Sequence, residues 1–165
     1  MKTIILVRHA KSSWDDFTVP DFDRPLNDRG KRDAPLMAAR LRSRGLVPDL
    51  LLSSPAKRAH KTARLFAETL GMDKASIAFQ EELYHAEPAA FTKAIAGLDD
   101  RYACVAIFAH NPGITVFANM SGTARIDDMP TCALFAYTVE TDHWAKAETA
   151  KKKFLFFDQP KNPSH

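Results

Sequence analysis

The chain has 165 residues and a net charge of +3, which fits one globular domain with a core of useful size. The small positive charge suits an anionic ligand, but no RNA-binding aromatic motif, zinc-finger spacing or long basic helix indicates nucleic acid. Two cysteines are too few for a disulfide framework, and no apolar run approaches the roughly 20 residues of a membrane helix. We expect one domain over residues 1–158, a flexible tail over 159–165, and a cytoplasmic monomer that binds neither nucleic acid nor membrane.

The first predicted elements are a buried strand and a long helix. Residues 3–8 form an apolar run that ends on an arginine, and a loop rich in Asp, Pro and Ser follows. The next pattern predicts a helix over about residues 28–44, with Asn27 as its N-cap and Gly45 just beyond its end. Pro35 removes a helix hydrogen bond, so we expect a kink there or a first helical piece that ends near residue 33.

The remaining elements alternate between strands and helices. "DLLLSS" predicts a second buried strand, after which Ser54 would cap a helix that has Pro55 at its first position and ends at Gly71. Further along the chain, strands are predicted at "SIAFQ" and "ACVAIFAH", helices at "EPAAFTKAIAGL" and "PGITVFANMSG", and a final pair of strands at "TCALFAYTVE" and "AKKKFLFFD" around the turn "TDHW". This order predicts a three-layer α/β/α sandwich with a mostly parallel sheet and a C-terminal antiparallel hairpin.

Three polar segments follow the predicted parallel strands and would meet at one edge of the sheet, where such folds bind ligands. They contain Arg8 and His9, then Arg58 in the first turn of a helix, then His110. Arginine pairs with phosphoryl oxygens in a bidentate manner. A neutral imidazole can attack phosphorus when its other nitrogen is held by a hydrogen bond. The sequence therefore predicts a phosphate site with a histidine nucleophile.

The motifs "VRHAKSSW", "SSPAKRAHKTA" and "AHNPG" resemble those of the histidine phosphatase superfamily, which includes the phosphoglycerate mutases. "DFDRPLNDRGKRDAP" is similar to the same stretch of its short SixA-like phosphohistidine phosphatase branch. The resemblance implies a phosphoglycerate mutase-like fold, phosphorylation of His9, a phosphoryl clamp of Arg8 and Arg58, a donor role for His110, and a place for Ser12 near the phosphate. It implies no cofactor and no metal, because arginines and histidines can supply the positive charge that Mg²⁺ supplies elsewhere.

The sequence also departs from the family pattern. Ala10 and Lys11 replace the usual Gly and Glu, and Asp15 stands where the mutases often have Asn. Mutase-like members carry a Glu as general acid after the third strand, and "EELYHA" offers Glu82 first, His85 next as an acid or a substrate contact, and Glu81 last. Asn111 follows the second histidine where phytase-like members have an acidic Asp.

We expect a phosphatase that acts on protein-borne phosphohistidine or related phosphomonoesters. A small-molecule phosphomonoesterase, a phosphoglycerate mutase-like enzyme and a non-catalytic module that binds phosphorylated ligands are the alternatives. Asp23 and Arg24 either reach the site or pair with each other to hold the loop, and the second role is favoured. Trp14 either stacks on a substrate or packs over the site loop.

Overall fold

The computed structural model describes residues 1–163 as a central sheet flanked by helices on both faces. The strands are β1 Lys2–Arg8, β2 Leu50–Ser53, β3 Ala78–Phe79, β4 Cys104–Ala109, β5 Leu134–Val139 and β6 Lys152–Asp158. The helices are α1 Asp28–Ser43, α2 Lys57–Leu70, α3 Pro88–Ala96 and α4 Gly113–Met120.

The sheet has the strand order β3-β2-β4-β1-β5-β6. The first four strands in that order are parallel, and β5 and β6 extend the sheet with antiparallel pairings. The predicted mostly parallel sheet with a C-terminal hairpin is thereby confirmed. The connection between β5 and β6 is longer than the predicted turn, because it includes a 3₁₀ turn at Trp144–Lys146.

Alternate residues of the central strands face opposite helical layers. Ile4 and Leu6 of β1 belong to a buried cluster that includes residues of α3 and α4. Ile5 and Val7 belong to a second cluster, which includes residues of α1 and α2. Because both faces of β1 are buried, its sequence is apolar throughout, as is typical of a central parallel strand.

Helix α1 begins as predicted but is not interrupted. The side chain of Asn27 accepts a hydrogen bond from the Gly30 N–H at 2.9 Å, and Gly45 beyond the end has a φ of +78°. The predicted end of a first helical piece near residue 33 is wrong, because α1 continues through Pro35. The carbonyl that Pro35 leaves without its helical donor belongs to exposed Lys31, while the opposite face of the helix is buried.

Helix α2 begins later than predicted. Its first residue is Lys57, and the extended backbone of Ala56 precedes it without a side-chain cap. Ser54 is therefore not the N-cap, since its hydroxyl accepts a hydrogen bond from the Ala56 N–H at 3.2 Å before the helix starts. The end of α2 agrees with the prediction, because Gly71 is its left-handed C-cap.

The strand pairing sets the parallel strand ends side by side. The His9 N–H donates to the carbonyl of Ala109 at 3.1 Å, and the Ser54 N–H donates to the carbonyl of Phe108 at 2.9 Å. Each of these contacts continues the ladder one residue beyond a strand. The sheet thus delivers His9, Ser54 and His110 to one edge, as the sequence predicted.

The C-terminal segment lies against α1. Arg40 donates to the carbonyls of Gln159 and Asn162 at 3.0 and 2.6 Å. The last two residues of the predicted flexible tail, 164 and 165, lie outside the described residues. Across residues 1–163, none of the helices has the length and apolar character needed to cross a membrane.

Gly113 lets helix α4 approach the loop that precedes α3. A Cβ at this position would lie 2.0 Å from the carbonyl oxygen of Ala86, a backbone atom that cannot rotate away. We expect Gly113→Ala to destabilise the fold by about 1–3 kcal/mol, the usual cost of overpacking. Gly97→Ala is the matched control, because its Cβ would meet neighbours only at 3.6 and 3.8 Å. Urea unfolding of both variants measures the difference, and equal stabilities would contradict this account of Gly113.

Candidate active site

His9 follows the end of β1 and is held as an uncharged imidazole. Its Nδ1 lies 2.8 Å from the carbonyl oxygen of Ala10, which can only accept, so Nδ1 carries the proton and Nε2 carries the lone pair. Burial lowers the pKa of His9 to about 3 despite the bond to Ala10, and the nearby charges of Arg58, Arg8 and Arg24 act in the same direction as burial. The imidazole is therefore neutral at pH 7.

His110 follows β4 and lies beside His9, with the two ring centroids 5.1 Å apart. Its Nε2 is 2.8 Å from the hydroxyl oxygen of Ser54. That oxygen already accepts from the Ala56 N–H, which favours donation of the Ser54 proton to Nε2. Nδ1 of His110 is then an N–H donor, and it has no hydrogen-bond partner within residues 1–163. Burial, followed by His9 and Arg58, lowers the pKa of His110 to about 2.

Arg8 and Arg58 reach the site from a strand end and from the first turn of α2. Arg8 donates from Nη1 to the carbonyl of Met129 at 2.8 Å. Arg58 is nearly buried and donates from Nη1 to the backbone carbonyl of Asp21 at 2.7 Å. The Nε atoms of both arginines are buried and lack a partner in the described part of the chain.

Arg24 is a third guanidinium at the site. It donates to the hydroxyl of Ser12 and to Oδ1 of Asp21, and it lies 3.7 Å above the ring of Trp14. Trp14 thus packs over the site loop, which was one of its two predicted roles. The predicted pairing of Arg24 with Asp23 is wrong, because the 3₁₀ turn at Asp21–Asp23 brings the residue three positions earlier to Arg24.

Asp21 is a site residue that the sequence did not reveal. Its Oδ2 accepts from Nη2 of Arg58 at 3.1 Å and from the hydroxyl of Tyr84 at 2.7 Å. The Tyr84 hydroxyl, followed by Arg24 and Arg58, holds the pKa of Asp21 well below its usual range. Several other aspartates share this loop, and no pattern distinguishes Asp21 from them.

The loop of residues 81–86 brings aromatic groups to His110 rather than a carboxylate. The Tyr84 ring lies 5.6 Å from the His110 ring and 3.9 Å from the His85 ring. Glu82 is exposed on the 3₁₀ turn and accepts from the amide of Gln80 at 2.8 Å. The contacts described for Glu82 and Glu81 do not join either carboxylate to the arginines or histidines of the site.

Asn111 has a structural task in place of the acid role of phytase-like members. Its amide nitrogen donates to Oδ1 of Asp128 at 2.8 Å and to the carbonyl of Met129 at 3.0 Å, and its oxygen accepts from Thr115. The Met129 carbonyl is also the acceptor for Arg8. Asn111 therefore fixes the loop that positions Arg8.

This edge of the sheet has the chemistry of a phosphoryl-transfer site. Three guanidinium groups offer charge-assisted donors to phosphoryl oxygens. A neutral imidazole with a free nitrogen can serve as a nucleophile, and a second imidazole can donate a hydrogen bond to the transferred group.

Comparison with known proteins agrees with this class. The model of the histidine phosphatase superfamily, branch 1, matches residues 4–87. An uncharacterised protein of Mycobacterium tuberculosis, Rv1276c, is 33% identical over 165 residues, which cover 94% of this chain and all of that protein. The chain belongs to the histidine phosphatase superfamily, and the resemblance of its motifs is confirmed.

Two further relatives show how far the similarity extends. An uncharacterised chloroplastic protein of Arabidopsis thaliana, At3g52155, is 42% identical over 84 residues, which are 50% of this chain and 38% of the plant protein. The crystal structure of a proposed phosphohistidine phosphatase SixA from Agrobacterium tumefaciens matches with a TM-score of 0.78 and 26% identity, and covers 96% of this chain and 98% of that one. The latter confirms the predicted fold class.

The buried neutral histidines make stability depend on acid pH. The unfolded chain takes up protons on His9 and His110 below about pH 6.5, whereas the folded chain does so only near pH 3 and 2. Their contribution to the free energy of unfolding is therefore complete above pH 6.5 and falls as the pH drops from 6.5 toward 3. Each histidine contributes a slope of about 1.4 kcal/mol per pH unit in that window.

We expect the double variant His9→Asn, His110→Asn to lose stability less steeply than the wild type between pH 6 and 4. Urea unfolding at each pH measures the slope, which is independent of any constant loss caused by the substitutions. Equal slopes in the two proteins would show that the histidines take up protons in the folded state.

Proposed function

We propose that this protein is a metal-independent phosphatase that hydrolyses protein-borne phosphohistidine or related phosphomonoesters through a phosphoryl group carried on His9. The observation that carries this proposal is the tethered, uncharged ring of His9, on which the positive charges of Arg58, Arg8 and Arg24 all act. The cytoplasmic location and the monomeric state stay predictions.

The reaction proceeds in two displacements. In the first, the Nε2 lone pair of His9 forms a bond to phosphorus, and the bond to the leaving group breaks with its electron pair going to that group. A phosphohistidine whose ring already carries a proton leaves as neutral imidazole and takes up no further proton, whereas an ester oxygen takes one from a general acid or from water. In the second, water attacks the phosphorylated His9, which releases inorganic phosphate and restores the neutral imidazole. Arg8, Arg24 and Arg58 offset the charge on the phosphoryl oxygens, and Nδ1–H of His110 donates to one of them.

Two alternative functions are less well supported by the site. A non-catalytic module would need the arginines, but it gains nothing from an imidazole whose nitrogen is kept unprotonated beside them. A phosphoglycerate mutase-like enzyme expels an alkoxide and needs a strong acid. Asp21, whose charge acts on His110, is kept ionised by Tyr84 and the arginines.

The choice of phosphohistidine rests on the leaving group. An alkyl ester expels an alkoxide whose conjugate acid has a pKa of roughly 15, near that of water. A phosphohistidine with a protonated ring expels neutral imidazole, whose conjugate acid has a pKa of about 6.5. Transfer to His9 is then an exchange between like groups, and it does not require a carboxylic acid.

We expect His9 to carry a phosphoryl group during turnover that is labile to acid and stable to alkali. His9→Ala should lose both this labelling and turnover, since no other group in the site offers a comparable tethered nitrogen. Rapid quench with ³²P-labelled substrate, followed by acid and alkali treatment, measures the label. A His9→Ala variant that keeps substantial turnover would contradict the assignment of the nucleophile.

We expect phosphohistidine and aryl phosphates to turn over much faster than alkyl phosphates, because only the alkyl esters need a strong acid. Steady-state kinetics on a phosphohistidine protein, p-nitrophenyl phosphate and 3-phosphoglycerate measure this order. If 3-phosphoglycerate is the best substrate, the mutase-like alternative replaces the proposal.

The same substrates test whether Glu82 or His85 acts as a general acid. Glu82→Gln and His85→Ala are compared on both classes, since loss of an acid slows alkyl esters more than phosphohistidine. The contacts of His85 with Tyr84 beside His110 favour His85 over Glu82. A selective loss on alkyl esters in Glu82→Gln alone would reverse that order.

A further inference from the structure

The charged groups around His9 can be counted from their contacts. Arg8, Arg24 and Arg58 act on the His9 ring and supply three positive charges. Both histidines are neutral at pH 7, so they add none. Asp21 contributes one negative charge through direct contacts with two of the three arginines.

The summed charge of the groups around His9 is no greater than that needed to neutralise one phosphoryl group. Three arginines and Asp21 leave a net charge of +2, which matches a phosphoryl dianion. A second carboxylate, Asp128, acts on Arg8 and reduces the positive charge further. Among the charges that the described residues 1–163 place on His9 and its three arginines, no excess positive charge remains for a second anionic group on the substrate.

Asp21 is the outer member of this cluster. Its side chain is 45% exposed, whereas those of Arg58 and Arg24 are 7% and 10% exposed. The hydroxyl of Tyr84 binds its second oxygen, and the ring of Phe22 packs edge-on against Tyr84 at 5.2 Å. A substrate group outside the buried arginine layer therefore meets a fixed negative charge.

We propose that Asp21 selects substrates by charge: it matches the pocket to a single phosphoryl dianion, favours neutral or cationic leaving groups, and disfavours leaving groups that carry a further anion. This inference rests on the proposed function in that the arginines bind the phosphoryl group. It narrows the substrate class to phosphoryl groups in neutral or basic surroundings, such as a phosphohistidine with a protonated ring or one next to lysines.

Matched aryl phosphates test the selection without changing the leaving-group chemistry. Tyramine phosphate carries a cation, p-cresyl phosphate is neutral beyond its phosphate, and the phosphate of 3-(4-hydroxyphenyl)propionate carries a second anion. The measured quantity is the ratio of kcat/KM for the cationic ester to that for the anionic ester. Common effects on the position of Arg58 cancel in this ratio.

We expect the wild type to prefer the cationic ester and Asp21→Asn to lower the ratio by roughly fivefold or more, the order expected for one charge near a partly exposed site. Asp23→Asn is the matched control, because it removes the same charge from the same turn and its carboxylate has no described bond to the arginines. Its ratio should remain that of the wild type. Added salt should weaken the preference of the wild type.

An unchanged ratio in Asp21→Asn, or an equal shift in Asp23→Asn, would overturn the inference. Failure of the proposed function can be distinguished from failure of charge selection. If His9 is not the nucleophile, His9→Ala keeps its turnover of p-cresyl phosphate. Titration calorimetry of the three esters with His9→Ala, with and without Asp21→Asn, gives a second readout that needs no turnover. If Asp21→Asn weakens the preference for the cationic over the anionic ester in their dissociation constants, charge selection is supported. If the ratio of these constants does not change, charge selection is contradicted.

Discussion

Three guanidinium groups of like charge converge on one uncharged imidazole, and the surrounding loops provide the acceptors that hold them there. Arg8 binds a carbonyl in the loop after α4, and Arg58 binds a carbonyl in the loop after β1. Arg24 binds a hydroxyl and a carboxylate within that second loop. Because buried and half-buried charges without partners are costly, the loop conformations and the arginine positions depend on each other.

The regular elements link these groups as firmly as the loops do. The Ala10 N–H donates to the hydroxyl oxygen of Thr62 at 2.9 Å, and that hydroxyl donates to the carbonyl of Arg58 at 2.8 Å. Thr62 lies one turn along α2 from Arg58, so one side chain joins the backbone beside His9 to the helix that carries the arginine. These two hydrogen bonds fix the backbone next to His9 relative to the first turn of the helix that carries Arg58.

The parts of the site that lie at strand ends could be predicted from the sequence, whereas the parts supplied by loops could not. Buried strands are recognisable as apolar runs, and parallel strands end at one edge, which brings His9 and His110 together. Asp21 and Tyr84 sit in loops where no periodicity shows the direction of a side chain. Glu82 was favoured by analogy with the mutases, but its exposed 3₁₀ turn places it beside Gln80.

Two errors in the predicted helices arose because a local sequence pattern was overridden by the tertiary fold. Of the two outcomes expected at Pro35, a kink or the end of a first helical piece, the second is wrong, because the packing of the buried face outweighs one lost hydrogen bond whose acceptor side is exposed. Ser54 matched the pattern of an N-cap, yet its hydroxyl bonds both the Ala56 N–H and the His110 ring. A residue type that suits a helix cap suits an active site equally well, and only the fold distinguishes the two uses.

The bond between Nδ1 of His9 and the Ala10 carbonyl has a consequence for isomerism. Imidazole can carry a phosphoryl group on either nitrogen, and the two products are constitutional isomers. Because Nδ1 of His9 is hydrogen-bonded to the backbone, the proposed mechanism forms only the Nε2-linked isomer on the enzyme. This holds for either isomer on the substrate protein. A phosphoryl group that passes through this site would lose the regiochemical identity that it had on its donor.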